Sequence, residues 1–397
     1  MRITLVTETY VPEINGVAKT LARLVQELVA RGHHVHVIRP AQKSESRNSE
    51  FTDGSLKQTL VTGLPIPGYV GLQFGLPAGR KLRHIWDAEQ PDIIYVATEG
   101  PLGWSAVKAA NRCGIPVVSG FHTNFDMYSR HYHLGVLENI IFGFLKKLHN
   151  RTLCTLAPSP QMVADLRQRG IADTHLFSRG VDTQVYNPVH RDENLRQQWQ
   201  LNSDDLVALY VGRIAAEKSI DVLISAYDAM REARPHTRLV VVGDGPMLER
   251  LRQQRSDIIF PGPKVGQELS RHYASADVFL FASETETFGN VVLEAMSSGL
   301  ALVAYDYAAT EMHVRNQVNG IAVPMRDKQA FIEAAKQLST NDTQIKQLQQ
   351  QARKTAERVD WAEVIDLFEQ RLVTYVKPQR HGKPNPEEQP VSADGSA

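Results

Sequence analysis

Residues 3–7 form a short run of apolar and β-branched side chains that predicts a buried strand, and after a Pro/Gly loop the apolar positions recur at helical spacing from about 19 to 31, where Gly32 supplies a stop. A second apolar run follows at 34–38. Strand, helix, strand is the order of a parallel sheet covered by helices, because parallel neighbours need a crossover long enough to hold a helix. Further strands are predicted at 93–97, 116–119 and 152–157, with helix-like segments between them. The pattern then restarts. A strand at 206–211 leads into a helix from about 219 to 232, and strands recur at 239–242, 258–260, 278–281 and 301–304. Two successive doubly wound, Rossmann-like α/β units account for this most simply. The expected division is a first unit over 1–186, a polar linker over 187–203, a second unit over 204–360 and a closing amphipathic helix over 361–376. Residues 377–397 are rich in Pro, Gly, Glu and Ser with almost no apolar side chains, the composition of a disordered tail.

Composition narrows the partners more than the fold. A chain of 397 residues exceeds what one core usually fills, in keeping with two domains. Hydrophobic residues at 42% and charged residues at 22% are ordinary for a globular protein. Lys plus Arg and Asp plus Glu both count 44, so the overall field gives no reason to expect a nucleic-acid partner. Cys113 and Cys154 lack the spacing of a disulfide framework or a zinc site, which favours a reducing, cytoplasmic location. The apolar run at the N-terminus is too short for a signal peptide, and no uncharged stretch approaches the roughly 18 residues of a membrane span. Any membrane contact is therefore expected from the surface.

In open α/β sheets ligands lie beyond the carboxyl ends of the strands, so two facing units make a cleft and the loops after strands carry the chemistry. After the first strand, Gly16 permits close backbone approach to a ligand at a helix N-terminus, although a plain turn glycine fits equally. After 116–119 comes Gly120-Phe121-His122-Thr123-Asn124-Phe125-Asp126, in which His122 is placed to contact a sugar hydroxyl or exchange a proton, or to serve only the structure. The second unit opens with Gly212-Arg213 and Lys218, two positive charges for a diphosphate or a solvated basic pair beside Glu217. Farther on, Glu286 and Glu294 bracket Phe288-Gly289-Asn290 at the start of a helix. Free N–H groups there can receive phosphate, while one acid holds sugar hydroxyls and the other a ribose. Two surface acids on an ordinary strand–turn–helix connection remain the alternative.

What the sequence lacks is equally directive. Gly243-Asp244-Gly245-Pro246 begins like a dinucleotide fingerprint but has no third glycine, which argues against a dehydrogenase. There is no P-loop and no Gly-x-Ser-x-Gly elbow. Asp-x-Asp occurs nowhere, so phosphate charge falls to Arg213, Lys218 and a helix N-terminus. His33 and His34 would face opposite sides of a strand, with His36 near them, and no metal site is expected there. The segment 132–151 mixes Leu134, Leu137, Ile140, Ile141, Phe142, Phe144, Leu145 and Leu148 with Lys146, Lys147, His149 and Arg151, which suits an interfacial helix or a core helix with a charged end. Arg80, Lys81, Arg83 and Trp86 form a second candidate surface of the same kind.

Together, the glycine loop at Asn15-Gly16-Val17, Gly120-Phe121-His122-Thr123, Gly212-Arg213 with Lys218, Val242 to Pro246, and Glu286-Thr287-Phe288-Gly289 with Glu294 resemble the retaining GT-B glycosyltransferases of family 4, over nearly the whole chain to about residue 376. The resemblance implies two Rossmann-like domains facing an interdomain cleft, with a nucleotide-diphospho-sugar held mainly by the second. Arg213 and Lys218 would hold the diphosphate, Glu294 the ribose, and Glu286 with the backbone of Phe288, Gly289 and Asn290 the sugar, while His122 and Gly16 approach from the other domain. His122 and Glu286 are the expected catalytic residues. The donor is a co-substrate, and neither metal nor cofactor is implied. Within the family the chain is similar to the branch of diacylglycerol glycosyltransferases, sulfoquinovosyl transferases and GDP-mannose-dependent mannosyltransferases. That branch implies transfer of a hexose from GDP-mannose or UDP-glucose to a lipid or glycan, with possible contact at the cytoplasmic face of the membrane. One departure is that Tyr305-Asp306-Tyr307-Ala308-Ala309 stands where many relatives have a glycine pair. A nucleotide-sugar epimerase and a non-catalytic sugar-nucleotide-binding protein are the alternatives.

Overall fold

Each of the two expected units holds its own sheet in the computed structural model, which describes the chain except residues 14, 43–44, 46–48, 66–72, 123–134, 203–204, 360 and 377–397, and the side chains of 135–139. Expectations for Thr123 to Asp126, for residues 132–134 and for the 377–397 tail fall outside the described residues. The first sheet orders eight described strands as Thr174–Leu176, Thr155–Ala157, Val117–Gly120, Ile93–Val96, Arg2–Val6, His34–Pro40, Leu56–Val61 and Glu50–Asp53. The second orders six as Ile259–Gly262, Thr237–Val242, Leu206–Val211, Val278–Phe281, Ala301–Tyr305 and Ile321–Val323. Pairing is parallel, save Glu50–Asp53 against Leu56–Val61.

Helices on both faces explain the sequence pattern, since a strand covered on both sides is apolar at every position rather than at alternate ones. All of Leu206–Val211 is buried. In each sheet the chain order reverses beside the first strand of the unit, between Arg2–Val6 and Ile93–Val96 and between Leu206–Val211 and Val278–Phe281. Such switch points open a crevice at the carboxyl ends of the strands. The loops bearing Gly16, Arg213 and Glu286 leave from these strands.

Two segments pack in ways that the sequence pattern leaves open. The polar stretch at 187–203 is no open linker: the helix Glu193–Gln198, capped by Asp192, buries Leu195 and Trp199 in the second core. Arg196 is buried with them, donating to the carbonyls of Ser275 at 2.9 Å and Asp205 at 2.8 Å. Leu195 and Trp199 share one helical face, and the polarity of the surrounding run hides that pair. The closing helix, Trp361–Tyr375, follows the second domain in sequence yet packs on the first. Its Trp361, Ile365, Phe368 and Leu372 line one face and are buried with Ile3, Leu5, Leu21 and Tyr95. The Phe368 ring meets Tyr95 edge-on at 5.1 Å and lies 4.9 Å from Phe177. Arg31 pairs with Asp366 and Glu369 of the same helix.

The histidines near the second strand have separate partners. His33 bonds the amino terminus at 3.0 Å and Glu369 at 2.9 Å, whereas His36 bonds Glu89 at 2.6 Å and Thr59 at 2.7 Å. Burial pushes the His36 imidazole below its usual range.

Candidate active site

The strand Val278–Phe281 runs into the Glu286 loop, which ends at Gly289 in a left-handed conformation (φ +87°) before the helix Asn290–Ser297. Among the described residues no side chain caps this helix, which leaves N–H groups at its start for a ligand. Phe288 is buried and anchors the turn, its carbonyl accepting from the N–H of Ala309 at 2.8 Å.

Lys218 and Glu286, far apart in sequence, meet directly. The Lys218 ammonium lies 2.6 Å from Glu286 Oε1, 2.8 Å from the Thr285 carbonyl and 3.3 Å from Ser283 Oγ. Their side chains are only 17% and 18% exposed, so the pair is more than a surface ion pair. Arg213 lies at the end of the neighbouring strand, pairs with Glu217 at 3.1 Å and is held at its carbonyl by the Tyr210 hydroxyl at 3.0 Å.

The Gly243-Asp244-Gly245 motif serves this loop instead of cradling a dinucleotide. A Cβ on Gly243 would stand 1.9 Å from the Gly212 carbonyl oxygen, and one on Gly245 would stand 2.3 Å from that of Ile214. Only glycine lets the two loops cross so closely. The crossing is pinned where Ile214 N–H donates to the Asp244 carbonyl at 2.9 Å.

Glu294 is no surface acid. It is buried on the inner side of its helix and accepts a hydrogen bond from the Tyr273 hydroxyl at 2.9 Å. Burial, reinforced by the Glu294 charge, keeps the Tyr273 and Tyr186 phenols protonated well above their usual range.

From the opposite domain, the helix Gly16–Ala30 points its N-terminus at this turn. Asn15 caps it, accepting from Ala18 N–H at 2.8 Å, and is itself held by Thr9 at 2.7 Å. Asn290 Nδ2 reaches across to the Gly16 carbonyl at 3.4 Å. The cleft continues where Phe121, Ser159 and Met162 of the first domain face Thr287, Tyr307 and Ala308 of the second. The Tyr307 hydroxyl donates to the Glu286 carbonyl at 2.9 Å, which ties the departing 305–309 stretch to the Glu286 loop.

The sequence-derived residues Gly16, Lys218, Glu286, Phe288, Gly289 and Asn290 thus converge, with Arg213 at the adjoining strand end and Glu294 beneath. His122 finds its hydrogen-bond partners within the first domain. It is buried, with Nε2 2.9 Å from the Tyr95 hydroxyl and Nδ1 3.0 Å from Arg179 Nη2. The proton exchange expected of it would first have to break one of these bonds. Tyr273, Tyr95 and Arg179 escape sequence reading, since a core tyrosine carries no signal and Arg179 follows a strand of three residues. Among the described residues no cluster of His, Cys, Asp or Glu is arranged to hold a metal ion.

Ala308 keeps φ +55° and ψ −119°, a conformation that glycine favours. Ala308→Gly should therefore be neutral or stabilising by up to about 1 kcal/mol, because relief of strain offsets the added freedom of the unfolded chain. Thermal unfolding checks this, and a clear loss of stability would show that the alanine is unstrained.

The sequence model of Glycosyltransferase Family 4 matches residues 14–185, and that of Glycosyl transferases group 1 matches 191–355. The chain is 32% identical over 326 residues to the GDP-mannose-dependent alpha-mannosyltransferase of Mycobacterium tuberculosis, covering 82% of this chain and 84% of that one. It is 27% identical over 321 residues to the alpha-monoglucosyldiacylglycerol synthase of Streptococcus pneumoniae, covering 77% and 71%. Among solved structures, the sucrose-phosphate synthase of Thermosynechococcus elongatus superposes with a TM-score of 0.76 at 18% identity, covering 94% of this chain and 99% of that one. Two parallel sheets meeting at a cleft, the strand-end motifs that line it and the matches over both domains lead to one conclusion: the chain belongs to the family 4 glycosyltransferases of GT-B architecture.

Proposed function

We propose that the enzyme moves mannose from GDP-mannose to a lipid acceptor with retention of configuration and without a metal, at the cytoplasmic surface of a membrane. The observation that carries this reading is the Lys218–Glu286 pair beside an uncapped helix tip that faces Gly16 across the cleft. Lys218, Arg213 and the helix N–H groups would take the departing diphosphate. Glu286, with the backbone of Phe288, Gly289 and Asn290, would hold the sugar, and Glu294, fixed by Tyr273, the ribose. A developing oxocarbenium and a leaving diphosphate need preorganised charge more than a strong base. Closure of the cleft would keep water from the donor.

The choice of mannose is supported by the relative named for GDP-mannose, and that of a lipid by the relative named for a diacylglycerol product. A surface suited to lipid flanks the first domain. On the helix Gly135–His149, Ile140 is 63% and Phe144 42% exposed. The Phe144 ring lies tilted against Trp104 at 4.8 Å, with Lys108 and Arg151 over the Trp104 ring at 5.0 and 5.2 Å. Phe142, Leu145 and Leu148 are buried, so one helix serves both core and surface. The other candidate surface lacks its aromatic, since Trp86 is fully buried and Lys81 donates to the Leu60 carbonyl. Among the described residues no helix is long and apolar enough to cross a membrane.

Incubation with labelled GDP-mannose or UDP-glucose and a lipid extract tests the proposal. Label is expected in the lipid phase with GDP-mannose, with an α linkage by NMR. Label confined to water-soluble products, or a β linkage, would overturn it.

A further inference from the structure

Beneath the cleft, His122, Tyr95 and Arg179 come from three strand ends of the first domain and form one hydrogen-bonded chain that the roles above leave unused. The guanidinium has N–H donors only and no lone pair to offer. His122 Nδ1, 3.0 Å from Arg179 Nη2, must therefore be the accepting nitrogen. The ring's remaining proton then belongs on Nε2, which donates to Tyr95 Oη at 2.9 Å. Partner chemistry thus settles the tautomer, which coordinates alone leave open.

Arg179 is itself unusual. It is 2% exposed and its Nη1 has no hydrogen-bond partner among the described residues. Burial lowers the guanidinium to about 10, still charged at neutral pH, and among the described residues Tyr95 offsets this in part. A buried cation with no carboxylate paired to it among the described residues is costly and calls for a reason.

We propose that Arg179 is a positioning residue that locks His122 as the neutral imidazole carrying its proton on Nε2, so that the site presents a permanent positive charge rather than a titrating one. This rests on the proposed transfer reaction and on the family resemblance, which implies that His122 approaches the donor from the first domain. Among the described residues, the groups facing the ring are Tyr95 from the strand Ile93–Val96, Arg179 after Thr174–Leu176, and His149 from the helix Gly135–His149. His149 in turn bonds Ser119 at 2.8 Å and lies 3.7 Å from Glu99 Oε1. Burial, then Arg179, then His149 hold the His122 imidazole well below its usual range. Removing Arg179 takes away its positive charge and, among the described residues, the donor to Nδ1, which leaves burial and His149 to oppose protonation and makes the ring easier to charge as pH falls.

The test follows the Cε1 resonance of His122 in histidine-labelled full-length protein between about pH 8 and 5, the window in which an ordinary histidine titrates. Loss of the signal in His122→Gln identifies it among the 14 histidines. The resonance should stay flat in the unaltered protein and in Arg179→Lys. It should titrate inside the window in Arg179→Met and in Arg179→Gln, which differ in whether a donor is kept. A titrating resonance in the unaltered protein, or a flat one in both neutral variants, overturns the proposal. The same variants should acquire an acid limb in kcat/KM with GDP-mannose, falling about tenfold per pH unit below the new midpoint. A uniform loss at every pH, with no change in the resonance, would mean that Arg179 only supports the fold. Because the resonance needs no substrate, a wrong donor or acceptor leaves this result standing.

Discussion

Replacing Lys218 by alanine should cost about 2 to 5 kcal/mol in kcat/KM, a loss of roughly thirtyfold to several-thousandfold, most of it in donor affinity. The range follows from removing one member of a hydrogen-bonded charge pair that is mostly shielded from water. All three donors of the ammonium are engaged, by Glu286, Thr285 and Ser283, and the Ser283 contact at 3.3 Å is the longest. A diphosphate oxygen can replace that weak bond while the other two keep the ammonium aimed. Alanine removes the cation and also leaves Glu286 without its closest partner, so part of the loss reflects a stranded carboxylate. A double-mutant cycle separates the two contributions: Lys218→Ala with Glu286→Gln should lose clearly less than the sum of the single changes. Calorimetry with GDP and GDP-mannose beside initial rates makes the measurement. Unchanged donor affinity in Lys218→Ala, or strict additivity with Glu286→Gln, would sink the assignment.

The sequence is most legible where burial is most complete. Strands covered on both faces, such as Leu206–Val211 and Val278–Phe281, read as unbroken apolar runs. The hairpin of Glu50–Asp53 and Leu56–Val61 does not, because the outer strand is exposed throughout and its residues are mostly polar. Strands of three residues, Thr174–Leu176 and Ile321–Val323, are too short to set a pattern. The site is legible for a related reason: ligand-facing groups gather after strands, so Gly16, Lys218 and Glu286 stand in loops whose place the topology dictates. What positions them is hidden. Tyr273 under Glu294 is one buried helix tyrosine among others, and the crossing of Gly243 over Gly212 joins loops that sequence order separates. The state of His122 depends on Arg179, a partner that no local motif announces.

Phe368→Ala should destabilise the first domain by about 3 to 5 kcal/mol, the usual loss for emptying a large aromatic site, which corresponds to a fall of roughly 6 to 20 °C in its unfolding transition. The expectation runs against chain order, since Phe368 follows the whole second domain. Yet its ring lies between Tyr95 and Phe177, and Arg31 and His33 hold the same helix through Glu369. The helix can stay docked only if its apolar face outweighs the entropy of fixing fifteen residues. Phe368 is central to that face. With two cores in one chain a single melting temperature is not well defined, so each domain must be followed separately. Amide exchange does this: protection should fall along Arg2–Val6 and Ile93–Val96 while Leu206–Val211 and Val278–Phe281 keep theirs. Tyr95 also accepts from His122, so the loosened ring should disturb the His122 resonance before the Lys218–Glu286 pair is affected. Loss of protection in the second sheet with the first unchanged would show that the closing helix stabilises the domain it follows rather than the one it returns to.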